Sequence, residues 1–457
     1  MSIKLDKKGK SREKFSSGLA VFLATLSSAV GLGNIWLFPY ITGENGGAAF
    51  ILVYFICVLL IGLPILLIEF SIGRGTRKNI YGAIKSFTNK KIFKAMGFIA
   101  IVITSFILFF YTVVAGWVYS YIFKAITGLF KGMNAEQVSE VFVQTSSTPI
   151  SAIGWQIVAI IVTCGILTFG VKGGIEKITK TLMPVLIGLL IFCGIKSLML
   201  PGAMEGVKFL LKPDFSKINL AVIVSAMGLA FFKLCIGTGT MITYSSYYND
   251  DNNLGETGTK VVLADTGVSI LAGLAIFPAV FSFGLEPTSG PGLLFETIPL
   301  IFGGIPGGQI LTVIFFVLTA MAATMAMISL FEVITAYLVE ELKVERKKAQ
   351  VINAVFVLIF GSLAALSGHP EGVLANVKIL GLTFFDFYDK STQLFMLPIN
   401  CMLMCIFSIY FVKRKFFIDQ LTNEGKLNNL WFANIVLFTV KYITPILILM
   451  VFIAAFI

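Results

Sequence analysis

Apolar runs long enough to cross a lipid bilayer recur along the whole chain. A membrane-spanning helix needs about 20 mostly apolar residues, because the hydrocarbon core of a bilayer is about 30 Å thick. Of the 457 residues, 57% are hydrophobic and only 13% are charged, whereas a soluble protein needs a more polar surface. The sequence therefore predicts an all-α polytopic membrane protein. We place eleven spans, at residues 16–41, 48–73, 95–126, 151–170, 176–200, 218–248, 259–285, 307–341, 347–367, 383–412 and 430–457.

Positive charge is concentrated in the loops and the N-terminal tail. A net charge of +11 in a soluble chain would suggest a nucleic-acid partner, but here the basic residues orient the spans and no nucleic-acid partner is predicted. The tail before the first span contains Lys4, Lys7, Lys8, Lys10, Arg12 and Lys14. Loops rich in lysine and arginine stay on the inner side of the membrane. We therefore expect a multi-pass protein of the bacterial cytoplasmic (inner) membrane, surrounded by lipid, with a cytoplasmic N-terminus.

Two of the predicted spans are interrupted near mid-length by pairs of glycines. The first interruption contains Gly31 and Gly33, and the second contains Gly237 and Gly239. Unwound backbone at membrane depth is tolerated only where it lines a cavity, because each freed N–H and C=O needs a partner. Breaks at matching positions in two halves are typical of the binding site of a secondary transporter. Taken alone, the glycines are equally consistent with close helix packing.

Lys233 stands beside the second interruption. A lysine at this depth costs roughly 2.5–3.5 kcal/mol on insertion scales, so we interpret it as functional. The sequence contains no metal-ligand cluster and no motif that combines a nucleophile with a base. We therefore expect no enzyme activity and no cofactor, and we assign no metal site.

Several motifs together resemble those of the neurotransmitter:sodium symporter family, which has the leucine-transporter-like fold. They include Ser28-Ala29-Val30-Gly31-Leu32-Gly33-Asn34-Ile35-Trp36, Glu69-Phe70-Ser71-Ile72-Gly73-Arg74, Lys172-Gly173-Gly174-Ile175-Glu176-Lys177, residues 231–244, Gly290-Pro291-Gly292-Leu293, and Glu332 to Glu341. The resemblance implies an inverted repeat of two five-helix units plus an eleventh helix, with helices 1 and 6 unwound at mid-membrane. The implied divisions are a basic cytoplasmic tail at 1–15, a first repeat at 16–200, a second repeat at 201–413, and a cytoplasmic loop with the eleventh helix at 414–457.

The same resemblance implies the substrate pocket. Carried across position by position, the pocket falls on Ser28, Ala29, Leu32, Gly33, Ile107, Tyr111, Phe232, Lys233, Cys235, Thr238 and Ala326. Gly31 takes the place of an aspartate that the monoamine transporters of the family use for the substrate amine. Its absence favours an α-amino acid with its own carboxylate. Tyr111 would donate its hydroxyl to that carboxylate.

Both sodium sites of the family are altered in this chain. The first would use Ala29 and Asn34, but its helix-six hydroxyl is Lys233 and its helix-seven asparagine is Asp265. The second keeps only the backbone oxygens near Ser27, Val30 and Ala322, because its helix-eight hydroxyls are Met325 and Ala326. We expect Lys233 to replace the first sodium ion, to contact the substrate carboxylate and to be held by Asp265. A static ion pair that fills an abandoned ion site is the alternative.

The resemblance also implies two gates. The inner gate is expected at Arg12, Tyr247 and Glu340, while the outer gate keeps Asp386 but has Leu37 in place of its arginine. Outer closure would then depend on apolar contacts among Leu37, Leu229 and Tyr111.

The predicted function is a secondary active, symporter-type amino-acid transporter that works by alternating access. Two alternatives stay open, namely a sodium-coupled symporter despite these substitutions and an amino-acid sensor that does not transport. The coupling ion could be a proton or residual Na+, and the sequence does not distinguish the two. The sequence does not specify which amino acid is carried, whether chloride is required, or the oligomeric state.

Overall fold

The computed structural model describes residues 12–285 and 292–454, and its regular structure there is helical except for one isolated β-bridge. We number the membrane-crossing segments α1 to α11 in chain order. Their bounds are Gly18–Ala29 with Gly33–Glu44 (α1), Ala48–Thr76 (α2), Lys91–Ile126 (α3), Pro149–Leu167 (α4), Val171–Leu198 (α5), Leu220–Lys233 with Thr240–Ser245 (α6), Leu254–Ser282 (α7), Gly308–Glu340 (α8), Arg346–Ala365 (α9), Phe384–Tyr410 (α10) and Leu430–Ile453 (α11). Shorter helices connect them at Ile80–Phe87, Ala135–Ser147, Ala203–Leu211, Leu293–Gly303 and Arg414–Leu421.

The predicted all-α polytopic fold is confirmed. Within the described ranges, nine helices are long and apolar enough to cross a membrane, and the bent pair of α1 makes a tenth. The two parts of α6 have 14 and 6 residues, so neither spans a bilayer alone. The inverted repeat and the domain boundaries stay predictions. Residues 1–11, with Lys4, Lys7, Lys8 and Lys10, and the start of the expected outer hairpin at Gly290 and Pro291 lie outside the described residues.

Both glycine-containing interruptions are real breaks in the helices. The two halves of α1 meet at an angle of 57°, and Val30 at the end of the first half is extended, with φ −79° and ψ 108°. The break in α6 contains three residues with positive φ, namely Cys235 at 49°, Gly237 at 77° and Gly239 at 79°. Glycine adopts this left-handed region without the steric cost that a Cβ brings. The sequence thus specifies where each helix opens.

The other helices surround the two breaks. The first half of α1 packs against α7 and α8, and α3 packs lengthwise against α8. The second half of α6 packs closely against α2. The breaks also meet each other, because the Cys235 thiol donates a hydrogen bond to the Ser28 carbonyl at 3.3 Å. The opened backbone of α1 and α6 therefore lies inside the bundle and away from lipid, as bilayer chemistry requires.

The close approach of α2 and α6 generates a stability prediction. A Cβ at Gly73 would lie 2.0 Å from Ser245 Oγ and 2.1 Å from the Ile242 carbonyl oxygen. We expect Gly73→Ala to lower the free energy of unfolding by about 1–3 kcal/mol or more, because overpacking forces the backbones apart. Thermal unfolding in detergent measures the change. Gly154→Ala on α4 is the matched control, since no atom beyond its own stretch of helix lies within 4 Å of its added Cβ. Equal losses in both variants would contradict the prediction.

Candidate functional site

A buried ion pair lies beside the two breaks. Lys233 Nζ, at the end of the first half of α6, is 3.0 Å from Asp265 Oδ2 on α7, and both side chains are 0% exposed. The ammonium also donates to Tyr54 Oη at 3.1 Å and to Ser269 Oγ. Because an ammonium has three N–H donors, these three partners use all of them. The rings of Phe38 and Tyr54 flank the charge, with centroids 4.8 and 4.9 Å from Nζ.

Asn34 connects the ion pair to the break in α1. Its Nδ2 lies 2.7 Å from Asp265 Oδ1 and 3.0 Å from Ser269 Oγ. Its Oδ1 accepts a hydrogen bond from the Gly31 N–H at 3.1 Å. The amide oxygen that a cation would need as a ligand therefore faces a backbone donor, and the amide nitrogen faces the carboxylate.

Neighbouring helices bind the backbone groups freed at the break in α6. Glu69 Oε1 on α2 accepts from the Gly237 N–H at 2.8 Å, and Asn400 Nδ2 on α10 donates to the Gly237 carbonyl. Thr104 Oγ1 on α3 donates to the Thr238 carbonyl at 2.9 Å. None of these three side chains was predicted from the sequence. The sequence nevertheless contains a signal for them, because polar residues inside apolar spans need a hydrogen-bond partner there.

A cavity of about 270 Å³ opens beside the second half of α1. Its lining consists mainly of aromatic and apolar side chains with two carboxylates, namely Leu32, Gly33, Trp36, Leu37, Tyr40, Phe110, Tyr111, Val114, Phe232, Phe385, Asp386, Asp389 and Gln393. Four of the predicted substrate residues, Leu32, Gly33, Tyr111 and Phe232, meet on this wall. Trp36, Phe110 and Asp389 were not predicted from the sequence.

Tyr111 lines this cavity and contacts the break in α1. Its hydroxyl oxygen accepts a hydrogen bond from the Leu32 N–H at 2.8 Å, which leaves the hydroxyl hydrogen outside that bond. A Cβ at Gly31 would lie 2.6 Å from Tyr111 Oη and 2.8 Å from Ala326 Cβ. An aspartate at Gly31 would therefore clash with both side chains.

Six of the remaining predicted substrate residues do not belong to the described lining of the cavity. Ser28, Ala29, Ile107, Thr238 and Ala326 are buried, and Cys235 is partly buried. The Thr238 hydroxyl is engaged locally with the Cys235 carbonyl and Thr240 Oγ1. The described part of the cavity lining includes none of these six residues.

The expected direct contact between the Lys233 ammonium and a substrate carboxylate stays a prediction. Among the described residues, Lys233 does not line the cavity. The physical reason is the direction of the side chain, which runs past Gly33 to Tyr54 and Ser269. A carboxylate would have to displace one of the three partners of Nζ to reach it. Its expected pairing with Asp265 is present in the structure.

At the positions of the expected second sodium site, three α8 side chains carry no oxygen. Ala322, Met325 and Ala326 contribute methyl and thioether groups on α8, and all three are buried. The Ser27 hydroxyl donates to the Ala24 carbonyl at 2.7 Å, and the Val30 N–H donates to the Leu26 carbonyl at 2.8 Å. Ala322, Met325 and Ala326 therefore offer only their backbone carbonyls as oxygen ligands.

The residues of the expected inner gate come together. Arg12 forms an ion pair with Glu340, and its guanidinium lies 4.5 Å from the centroid of the Tyr247 ring. Tyr247 donates to Glu332 at 2.7 Å, and Glu332 forms a second ion pair with Arg346 at 2.6 Å. That second pair was not predicted. The structure is therefore closed at this end of the bundle, which we call the gate side.

The expected outer-gate residues line the open cavity. Leu37, Tyr111 and Asp386 share its wall, and Asp386 lies 3.7 Å from Lys390, one turn along the same helix. Because Leu37 carries no charge, no ion pair with Asp386 closes the cavity. The described structure is thus closed on the gate side and accessible from the opposite side.

Comparisons with known proteins agree with this geometry. The family model described as the Sodium:neurotransmitter symporter family matches residues 12–148 and 134–457. The chain is 34% identical over 439 residues to "Uncharacterized sodium-dependent transporter YhdH" of Bacillus subtilis, covering 96% of each protein. It is 36% identical over 462 residues to an "Uncharacterized sodium-dependent transporter" of Haemophilus influenzae, covering 97% of this chain and 98% of that one.

A solved structure has the same architecture. The crystal structure of MhsT in complex with L-phenylalanine superimposes with a TM-score of 0.89 at 39% identity, over 97% of this chain and 100% of that chain.

The buried ion pair generates a second stability prediction. Lys233→Met or Asp265→Asn alone leaves one charge buried without its partner, which is expected to cost about 3–5 kcal/mol. The double variant removes both charges and is expected to cost less than the sum. Thermal unfolding of all four proteins gives the coupling energy.

The control is the exposed pair formed by Lys260 and Glu256, whose side chains are 61% and 54% exposed. Lys260→Met and Glu256→Gln should each change stability by less than about 1 kcal/mol. Additive losses at Lys233 and Asp265 would show that the two charges do not stabilise each other.

Proposed function

Because the chain belongs to the Sodium:neurotransmitter symporter family, we propose that it carries amino acids across a bacterial cytoplasmic membrane by alternating access. The family and the named relatives are transporters, and the solved neighbour is a complex with L-phenylalanine. The arrangement of one closed and one accessible end supports an alternating-access cycle. We further propose that the transport does not require sodium at the first ion site.

The Lys233–Asp265 ion pair is the observation that carries the proposal about coupling. A sodium ion in this region would need oxygen ligands, whereas an ammonium offers donors alone. The Asp265 carboxylate already has a cation at 3.0 Å, and Asn34 Oδ1 already accepts a backbone N–H. A second cation would experience repulsion from the ammonium, and such repulsion is strong where the effective dielectric constant is low.

The Lys233 ammonium also links several helices, as a bound ion would. Asn34 on α1, Tyr54 on α2, Lys233 on α6 and Asp265 on α7 form one hydrogen-bonded network. An ion that joins helices stabilises them only while it is bound. A lysine side chain is covalently attached and stays in place throughout a cycle.

The cavity supports an amino acid with an apolar side chain as the substrate. Its carboxylate would meet the Tyr111 hydroxyl and the positive end of the second half of α1, since the N-terminus of a helix favours anions. Phe110, Phe232 and Trp36 provide a largely aromatic wall. The clash at Gly31 leaves no space for a protein carboxylate there, so the substrate supplies its own. Contact between the substrate and Nζ forms no part of this proposal.

Uptake into proteoliposomes tests the proposed coupling. We expect labelled L-phenylalanine, the ligand in the MhsT complex, to enter at the same initial rate in Na+ and K+ buffers. A separately imposed pH gradient tests for coupling to protons. Strict dependence on Na+ would instead support the sodium-coupled alternative, which the names of the relatives favour. Tight binding without uptake would identify a sensor.

Restoring oxygen ligands gives an independent test of the ion site. The double variant Lys233→Thr with Asp265→Asn removes the fixed cation and its carboxylate together. We expect its substrate binding to become stronger in Na+ than in K+, as isothermal titration can measure. Unchanged affinity in both buffers would argue against an ion site replaced by Lys233.

The proposed role of Tyr111 generates a prediction about affinity. Tyr111→Phe removes the hydroxyl that would donate to the carboxylate, and hydrogen bonds to charged groups are strong. We therefore expect the Kd for L-phenylalanine to rise about 10- to 100-fold. Tyr119→Phe on the same helix is the matched control, because its hydroxyl bonds to Thr324 Oγ1 at 2.7 Å outside the cavity. Equal effects of the two variants would exclude a specific role for Tyr111.

A further inference from the structure

A groove on the outer surface of the bundle brings two cations together. It has a volume of about 390 Å³ and lies between α10, α11 and the short helix Arg414–Leu421. Arg414 and Lys441 both line it, and both side chains are exposed. The groove is separate from the cavity described above and shares no lining residue with it.

Lys441 lies deep within a membrane span. It is eleven residues after Leu430, the first residue of α11, which corresponds to about 16 Å along a helix. The hydrocarbon core is about 30 Å thick, so its Cα lies near mid-membrane. Only 33% of the α11 span is buried inside the protein. An exposed lysine at this depth extends toward the headgroups and needs a counter-charge.

Arg414 lies at the end of the groove nearer the headgroups. It begins the short helix that follows α10, and its Nη2 donates to Asn434 Oδ1 at 2.8 Å. This helix lies on the gate side, because Arg74 at the end of α2 donates to Gln420 Oε1 at 2.8 Å. Arg12 of the gate reaches the same end of α2 at the Arg77 carbonyl. The groove therefore extends from mid-membrane to the surface on the gate side.

The rest of the lining fits a lipid. Ile409, Val412, Leu437 and Phe438 form apolar walls beside the two cations. Among the described residues that line the groove, none is Asp or Glu. Neither cation has a carboxylate within 4.0 Å in the part of the chain that the structure describes. The described lining of the groove therefore supplies positive charge and apolar surface but no carboxylate to balance the charge.

We propose that this groove binds an anionic phospholipid from the leaflet on the gate side. The phosphate would lie between Arg414 and Lys441, and an acyl chain would follow the walls formed by α10 and α11. Basic pockets between membrane helices bind anionic headgroups in this way. A zwitterionic lipid would satisfy the apolar walls but would bring its own cation to the two that are already present.

Native mass spectrometry of the full-length protein tests the proposal. The purified protein is incubated with equal amounts of dioleoyl-phosphatidylglycerol and dioleoyl-phosphatidylcholine, which share acyl chains and differ in net charge. We expect preferential retention of phosphatidylglycerol. Lys441→Met and Arg414→Gln should each raise the Kd for phosphatidylglycerol about fivefold, the effect of one cation near a charged headgroup. Lys441→Arg keeps the charge and should retain the lipid.

Lys415→Gln is the matched control, because Lys415 is exposed beside Arg414 but does not line the groove. It should leave the bound fraction unchanged. Equal retention of the two lipids, or equal loss in Lys415→Gln and Arg414→Gln, would overturn the proposal. Displacement of the lipid by millimolar inorganic phosphate would also overturn it, because the site would then select a free anion.

Discussion

The interaction on which the centre of this protein depends is the ion pair between Lys233 and Asp265. In hydrocarbon, a charge without a partner is expensive, and water is not present to replace the missing contact. Each charge here is satisfied by more than its partner: Tyr54 and Ser269 bind the ammonium, and Asn34 binds the carboxylate. Together with Lys233 and Asp265, these groups come from four different helices. The break in α1 and the end of the first half of α6 are therefore held by one network, and removal of either charge would affect both.

The central pair and the gate pair differ in a way that suits opposite roles. Lys233 and Asp265 are fully buried, whereas the side chains of Arg12 and Glu340 are 15% and 26% exposed. Water can replace the contact between Arg12 and Glu340 as it opens, and solvated rim pairs contribute only about 0–1 kcal/mol. Water could replace the contact between Lys233 and Asp265 only by entering the apolar interior of the bundle. In the proposed cycle, the gate pair separates while the central pair keeps α1, α2, α6 and α7 together as one moving unit.

The sequence predicted the features that depend on local chemistry. Hydropathy located the spans, and the glycines at 31, 33, 237 and 239 located the breaks, because both follow from the properties of nearby residues. The direction of Lys233 depends on Tyr54 and Ser269, which are 179 and 36 residues away along the chain. Glu69 and Asn400 bind the broken backbone of α6 from two other helices. Such partners are fixed by how the helices pack, and the residue types alone indicated only that partners must exist.

In the proposed mechanism, charge balance removes the need for the Lys233 ammonium at the substrate. A sodium ion beside an asparagine leaves a site with one net positive charge, which can offset a carboxylate. Lysine beside aspartate leaves no net charge, and here all three N–H donors are already used. An amino-acid zwitterion is itself neutral, so its carboxylate needs hydrogen-bond donors and a favourable dipole, with no additional cation required. Tyr111 and the start of the second half of α1 would supply both on the cavity wall. In the proposed mechanism, Asp265 in place of asparagine would transfer carboxylate recognition from an ion to the protein backbone and one hydroxyl.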